Sequence, residues 1–389
     1  MKKTISIIIF LVIPAFASPF VPMFHGARSL GLGYSSLAFT YDVNMIHMNP
    51  ALLVSQPYSI SGYQYGQSYG EYAGFGGQLS SLLSADLNGF ANLDEAARSD
   101  ILDRLKRLYS SRAGFFGFRQ HQPGFVGKGF GFSIAFLDAA LIRPLANAAL
   151  QKNVQDFTAA DLQALQMSFI GMHGTEYGAS YAFWLSQDLS IGLSLYYLKG
   201  HIDEQNVALL ADRFAVAKNG SDYLQETWKD VGGQDLSKLT GNISLAANMG
   251  EYFKLGLLVR NVWKPTIKTT LRELTLPQRW TAGIAFRPPG MWGIYLDLDV
   301  KKADSFYNDD RVQPFSFGVE KGFLQNRFVV RAGILNDLSE KKLFGRDAAV
   351  LYGFGLGFNL SPLMIDLAVG LGGNGDLRSL AISGFYVKQ

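Results

Sequence analysis

The chain of 389 residues has no cysteine. That excludes a disulfide framework, a thiolate metal site and a lipid-modified N-terminal cysteine. Charge is also scarce: Asp, Glu, Lys and Arg make up 17%, against about 25% in ordinary soluble domains. After residue 18 there is no long unbroken apolar run, so no hydrophobic helix is available there to cross a bilayer. Basic excess is missing too. The formal charge is +3, and Lys2 and Lys3 supply two of those charges, which argues against a nucleic-acid partner.

What is present begins with MKKTISIIIFLVIPAFAS. Two lysines precede an apolar run, Ile5 to Phe16, that is short for a membrane span, and Ala15-Phe16-Ala17 forms a small-residue cleavage site. Residues 1–17 therefore read as a signal peptide cut after Ala17; a retained anchor is the alternative. Glycine is abundant, 42 residues, and aromatics reach 13%. An exported chain this poor in charge must place its apolar surface somewhere.

From about Tyr72 onward the dominant period is two. Leu189, Ile191, Leu193, Leu195 and Tyr197 alternate with Ser190, Gly192, Ser194 and Tyr196. Phe130, Phe132, Ile134 and Phe136 oppose Gly131, Ser133 and Ala135, and Tyr352, Phe354, Leu356 and Phe358 oppose three glycines. Alternate side chains leave opposite faces of a strand. One face is thus aliphatic and aromatic, the other small with scattered charge. Stretches of about ten residues suit tilted strands crossing a bilayer in a closed sheet, apolar outward and polar inward. A soluble β-sandwich also alternates; strand length, the export signal and the run of consecutive hairpins favour the barrel.

The connections alternate as well. Joins near 185–187, 250–251, 288–290, 322–325 and 360 are short; those near 81–112, 140–172, 201–239, 264–276, 303–310 and 337–346 are long. Bacterial barrels put short turns in the periplasm and long loops outside. Counting back from the C-terminus gives an all-β, antiparallel transmembrane barrel of about 14 strands, the first at 72–80 and the second at 113–119. A further strand at 58–67 would require another upstream and raise the number to 16. The expected organisation is 18–71 as an N-terminal plug segment and 72–389 as the barrel. Helices are expected in the long loops: 93–109 keeps Leu93, Ala97, Ile101, Leu105 and Leu108 on one face, and Thr158-Ala159-Ala160-Asp161 has the form of a capping box. Such helices either pack over the rim or form a lid or partner groove over the mouth.

Motifs for chemistry fail on inspection. Gly127-Lys128 lacks the first Gly and the Ser or Thr of a phosphate loop, and Gly353-Phe354-Gly355-Leu356-Gly357 is a period-two strand with no helix after it. The five histidines, His25, His47, His121, His173 and His201, form neither H-x-x-x-H nor H-E-x-x-H. Near misses to G-x-S-x-G at Ser35, Ser180 and Ser194 lack the second Gly. The sequence therefore points to no enzyme, no cofactor and no metal. Charges expected on the lumen face are Lys254, Arg260, Asp297, Asp299, Lys301, Glu320, Arg331 and Asp366; Glu320 and Arg331 flank a tight turn and are placed to pair across it.

Ahead of the barrel lies HGARSLGLGYSSLAFTYDVNMIHMNPALL, from His25 to Leu53. Asn49 suits an N-cap and Pro50 the first position of a short helix. Gly26, Gly31 and Gly33 permit close backbone approach inside a pore, and Arg28 lies among them. This stretch resembles the N-terminal signature of FadL-like outer-membrane proteins, with G-x-R-x-x-G-x-G leading to N-P-A-x-L. It is most similar to their PorV/PorQ and TraF-like branches and an uncharacterised third branch. LAANMGEYFKLGLLVRNVWKP (245–265), LTLPQRWTAGIAFRP (274–288) and FSFGVEKGFLQNRFVVRAGI (315–334) extend the likeness over most of the chain. Tyr34 and Ser35 replace a common Gly-Ala, and Leu52 stands where Gly is common. The resemblance implies an outer-membrane barrel whose lumen holds the plug, formed by Gly26, Arg28, Gly31, Gly33, Asn49 and Pro50. Transport members pass hydrophobic small molecules. PorV-like members bind a secreted protein or a secretion apparatus, and either would sit among outer-membrane lipid.

Overall fold

The computed structural model describes residues 26–56, 59–72, 79, 81–82, 85, 87, 89–110, 114–145, 147–209, 234–290, 292–304, 311–338, 350–372 and 377–388. The expected signal peptide lies outside the described residues. Fourteen strands close into one barrel: β1 (Ser59–Tyr72), β2 (Gly114–Gly127), β3 (Phe130–Pro144), β4 (Gln166–Trp184), β5 (Leu189–Ala208), β6 (Gln234–Met249), β7 (Phe253–Arg260), β10 (Arg279–Phe286), β11 (Gly293–Asp299), β14 (Pro314–Phe323), β15 (Phe328–Asp337), β16 (Leu351–Leu360), β17 (Leu363–Gly372) and β18 (Leu377–Lys388). Each pairs antiparallel with the next, and β1 meets β18 to shut the cylinder. Two small hairpins, β8 (Thr266–Lys268) with β9 (Glu273–Thr275) and β12 (Ala303–Asp304) with β13 (Arg311–Val312), sit within loops.

Closure follows from the residue pattern. A closed sheet pairs its backbone groups without an edge, the condition for putting strands in lipid. Outward positions are apolar and exposed, among them Phe132, Tyr181, Leu195, Leu239, Phe317 and Ile382, while the alternating inward positions are buried. Among the described residues no helix is long and apolar enough to cross a membrane. Turns at one end are short, near 128–129, 185–188, 250–252, 324–327 and 361–362; long loops gather at the other.

Four expectations change. The first strand is Ser59–Tyr72, not 72–80, of which 73–78 and 80 lie outside the described residues. The strand foreseen at 58–67 therefore replaces that first strand rather than adding to it, and the number stays at 14, not 16. The expected plug segment, 18–71, is correspondingly shorter, because its last part is barrel wall. The second strand runs on to Gly127. His121-Gln122-Pro123 breaks the apolar alternation because Gln120 and Gln122 turn inward and are buried. Pairing with β3 resumes at Gly124 after a gap beyond His121.

The helices sit outside the wall. α3 (Glu95–Ser110) and α4 (Ala159–Gln163) pack with Leu150 and Phe157 against Ala140, Ile142, Met167 and Phe169. These four lie on the same strand faces as the outward-facing, exposed Phe136 and Tyr177. The helices form a shelf against the outer face of the tall strands rather than a lid over the mouth. Thr158 and Asp161 make the reciprocal capping-box bonds, Asp161 N to Thr158 Oγ1 at 3.2 Å and Thr158 N to Asp161 Oδ2 at 2.9 Å.

Candidate functional site

The interior holds the segment 26–56. It comprises α1 (Ala27–Gly31), α2 (Met45–Met48) and a short 3₁₀ helix, Pro50–Ser55. Asn49 caps that helix, its Oδ1 accepting from Ala51 N at 3.2 Å, and its Nδ2 donates to Leu37 O at 2.9 Å. Pro50 fills the first position, where a missing N–H is harmless. Gly26 lies against Asn44 and Gln64, and Gly31 against Gly355. Gly33 has a positive φ of 61° and lies on Gly333 and Ile334 of β15. Only two glycine-bearing backbones without side chains between them approach this closely, so the Gly-rich inner face of β15 and β16 is a seat for the segment.

Arg28 is fully buried. Its Nη2 donates to Glu320 Oε1 at 3.2 Å and its Nη1 to Phe39 O at 3.0 Å, and its guanidinium lies 4.6 Å from the Tyr41 ring centre. Burial alone would depress this guanidinium, but Glu320, then Tyr295 and Tyr41, outweigh it and hold it above its ordinary value. The Glu320–Arg331 contact is 3.0 Å from Nε to Oε2. Arg331 also donates to Asp366 Oδ1 at 2.6 Å and to Tyr41 Oη at 2.8 Å. The expected lumen pair is thus the centre of a larger network that reaches from β14, β15 and β17 into the segment. Nothing in the sequence linked Arg28 to Glu320, which lie 292 positions apart.

The other expected lumen charges divide. Asp297 accepts from Ser36 N and Leu37 N, both at 2.8 Å, and Asp299 pairs with Arg279 at 2.7 Å. Arg260 Nη2 lies 3.2 Å from Met48 Sδ, and Lys254 lies over Phe39. Lys301 is not in the lumen; it is exposed and lies over the ring of Trp280 on the outer surface.

Contacts on the opposite side run through neutral groups: Ser194 Oγ donates to Ile46 O and Ser190 Oγ to Ala51 O, both at 2.9 Å. His47 stacks on Tyr196, with Nε2 3.2 Å from Ser133 Oγ and Nδ1 3.8 Å from Glu176 Oε1. Burial, with Arg260 acting in the same direction, lowers its pKa to about 3, so the ring is neutral at physiological pH. Asn44, Gln64 and Gln122 each bury an amide atom with no hydrogen-bond partner. The segment is tied by charge to β14, β15 and β17, and it meets β1 and β2 through amides that leave atoms without a hydrogen bond.

On the short-turn side of the segment is a cavity of about 870 Å³, bordered by Phe39, Tyr41, Gln56, Lys254, Arg287 and Asn326. On the long-loop side the inner wall turns apolar. Phe118, Leu137, Leu141, Ile170, Met172, Leu198, Ile202 and Leu236 form one cluster, roofed by Ile267, Leu274 and Leu276 from the β8–β9 hairpin region. The hairpin is tied to β5 through Thr269 Oγ1 to Glu204 Oε2, 2.7 Å, and Arg272 Nε to Glu204 Oε1, 3.0 Å. Among the described residues no group of three or more His, Cys, Asp or Glu could hold a metal ion.

No protein-family model and no curated protein matches the sequence. Solved structures share the fold. The chain is similar to the CymD monoaromatic hydrocarbon channel, with 13% identity, 94% of this chain and 97% of that chain covered, and a TM-score of 0.53. It is similar to the Pseudomonas putida toluene transporter TodX, with 13% identity, 96% and 100% covered, and a TM-score of 0.53. A Pseudomonas aeruginosa FadL homologue gives 11% identity, 97% and 98% covered, and a TM-score of 0.51. The chain shares the architecture of these barrels.

Proposed function

We propose that this protein is an outer-membrane channel for hydrophobic small molecules, with residues 26–56 as a plug that must shift for passage. The observation that carries the reading is the divided lumen. An apolar chamber under the β8–β9 hairpin region faces the long loops, and the charged, glycine-seated segment closes the other half. An apolar lining with few polar groups suits an apolar ligand. Among the barrels that share the fold are a monoaromatic hydrocarbon channel and a toluene transporter, which supports the same reading. The signal peptide, the outer-membrane location and surrounding lipid belong to this proposal. Chemistry enters only as binding and release, with Glu320, Arg331 and Arg28 in positioning roles and no catalytic step.

Passage follows from the asymmetry of the plug contacts. A ligand leaving the chamber meets the seam at Asn44, Gln64 and Gln122, where fewer hydrogen bonds must break than at the Arg28–Glu320 clamp. The protein-docking alternative has less to stand on. In the long loop 147–165 the apolar Leu150, Phe157, Leu162 and Leu165 are spent on the protein's own shelf.

The test is binding and uptake together. Protein extracted from outer membranes in mild detergent is expected to carry or take up toluene or a comparable hydrophobe stoichiometrically. Met172→Asp, which puts a charge in the chamber, is expected to weaken binding by about tenfold or more and to slow uptake by cells. An empty barrel with uptake equal to that of cells lacking it would refute the proposal.

A further inference from the structure

Six strands of the wall are taller than the rest. β1 to β6 run 14, 14, 15, 19, 20 and 16 residues, whereas the other barrel strands run 7 to 12. On their outer face, one tier of polar side chains crosses all six in register. Gln67 pairs with Arg119, Arg119 with Asp138, Asp138 with His173, His173 with His201, and His201 with Asp235. One tier nearer the short turns, His121 and Lys199 face the same way.

The tier is held in place from within. Asp138 accepts from Arg119 at 2.7 Å and lies 2.5 Å from His173 Nδ1, and His201 Nδ1 lies 3.1 Å from Asp235 Oδ1. His173, His201 and Lys199 are nonetheless exposed. On the eight shorter barrel strands the outward-facing lysines, Lys321 and Lys388, sit at the short-turn end, among the described residues.

Its height is the informative feature. Phe183, near the short-turn end of β4, and His173 are ten residues apart on one face. That is about 33 Å along the strand, or about 25 Å of height at the usual tilt, the thickness of a barrel's lipid-facing band. Tyr63, Tyr177 and Tyr197 lie just short of the tier, where an aromatic girdle belongs. Just beyond it, Ala140, Ile142, Met167 and Phe169 are covered by the helical shelf. The tier is therefore a slot between the apolar band and the shelf, at headgroup level, continuous with the surface that meets acyl chains.

We infer that this slot binds the phosphorylated headgroup of an outer-leaflet saccharide lipid. Arg119, Lys199, His173 and His201 are set to contact phosphate, and Gln67, Asp235 and the tyrosines to hydrogen-bond or stack on the sugar. Acyl chains lie along the exposed Phe132, Phe136 and Leu195 below. Charge-assisted hydrogen bonds to phosphate are the strong kind, and the two histidines, each with one nitrogen on a carboxylate, keep the other ring nitrogen for a ligand. The inference rests on the outer-membrane reading for the leaflet but is independent of what the lumen carries.

The experiment places the full chain in phosphatidylcholine nanodiscs doped with a bis-phosphorylated, acylated glucosamine disaccharide, and counts retained lipid by native mass spectrometry. Wild type should retain the glycolipid selectively. The triple variant His173→Ala, Lys199→Ala, His201→Ala should bind it about tenfold more weakly or worse. Lys128→Ala, exposed at the short-turn end, should bind it normally. These positions are exposed, so folding is expected to survive, and unchanged toluene binding would verify it. Equal retention by the triple variant, equal retention of the dephosphorylated lipid, or displacement of the lipid by inorganic phosphate at matching concentration would each overturn the inference.

Discussion

Replacing Arg28 by Ala removes one ionic link between the plug and the wall. The guanidinium is fully buried, bonded to Glu320 and Phe39 O, and surrounded by the rings of Tyr41, Tyr295 and Phe39. Breaking a buried pair from one side costs about 3–5 kcal/mol when the partner charge is left uncompensated. Glu320 would keep Arg331 at 3.0 Å, Arg287 at 3.5 Å and the Tyr295 hydroxyl at 2.5 Å, which puts the expected loss at the low end, about 3 kcal/mol. At about 1.4 kcal/mol per decade, the population with the plug undocked should rise by about two orders of magnitude. Single-channel recording in planar bilayers reads this as frequent openings and raised passive conductance. Arg28→Lys, which keeps the charge but loses the planar fork, should fall between the two. Conductance and opening frequency indistinguishable from wild type in Arg28→Ala would refute the assignment of a clamp.

Acid should loosen the same segment by another route. His47 has a folded pKa near 3 against about 6.5 unfolded, so its contribution to docking is complete above pH of about 6.5 and is lost as pH falls toward 3, by up to about 1.4 kcal/mol per pH unit. Protease accessibility of the segment should rise across that window and rise less in His47→Gln; identical profiles would refute it. At Gly333, an added β-carbon would overlap the backbone of Leu32 and Gly33. Gly333→Val should therefore leave the barrel folded, as judged by circular dichroism and heat-modifiable migration, but displace the plug and raise conductance; a closed channel in that variant would contradict the seat.

The fold was legible where one physical rule acted locally. Period-two alternation marked the strands, and the strict alternation of short and long joins counted them. The glycines and Asn49-Pro50 marked a segment built for close approach. What stayed hidden depends on register between distant strands. β1 looked ambiguous because Gln64, Gly66 and Ser68 face a filled lumen instead of presenting an apolar pattern. The amphipathic faces of α3 and α4 show that they bury something, but not that the something is the outer face of their own wall. His173 and His201 sit 28 residues apart with no spacing motif, and only the hairpin register of β4 and β5 makes them neighbours. Glu320 and Arg331 were readable because a tight turn joins them; Arg28 was not, since its partner is set by how the segment lies in the finished cylinder.

The plug's binding surface also carries a consequence for biogenesis. Residues 26–56 touch Ser133 of β3, Ser194 of β5, Ser244 of β6, Asp297 of β11, Glu320 of β14 and Ser383 of β18. That surface is not complete until the last-made strand has met the first. The earliest described part of the chain thus depends on the closed wall for its full set of partners, and a molecule whose β1–β18 seam has not closed offers it only part of that surface.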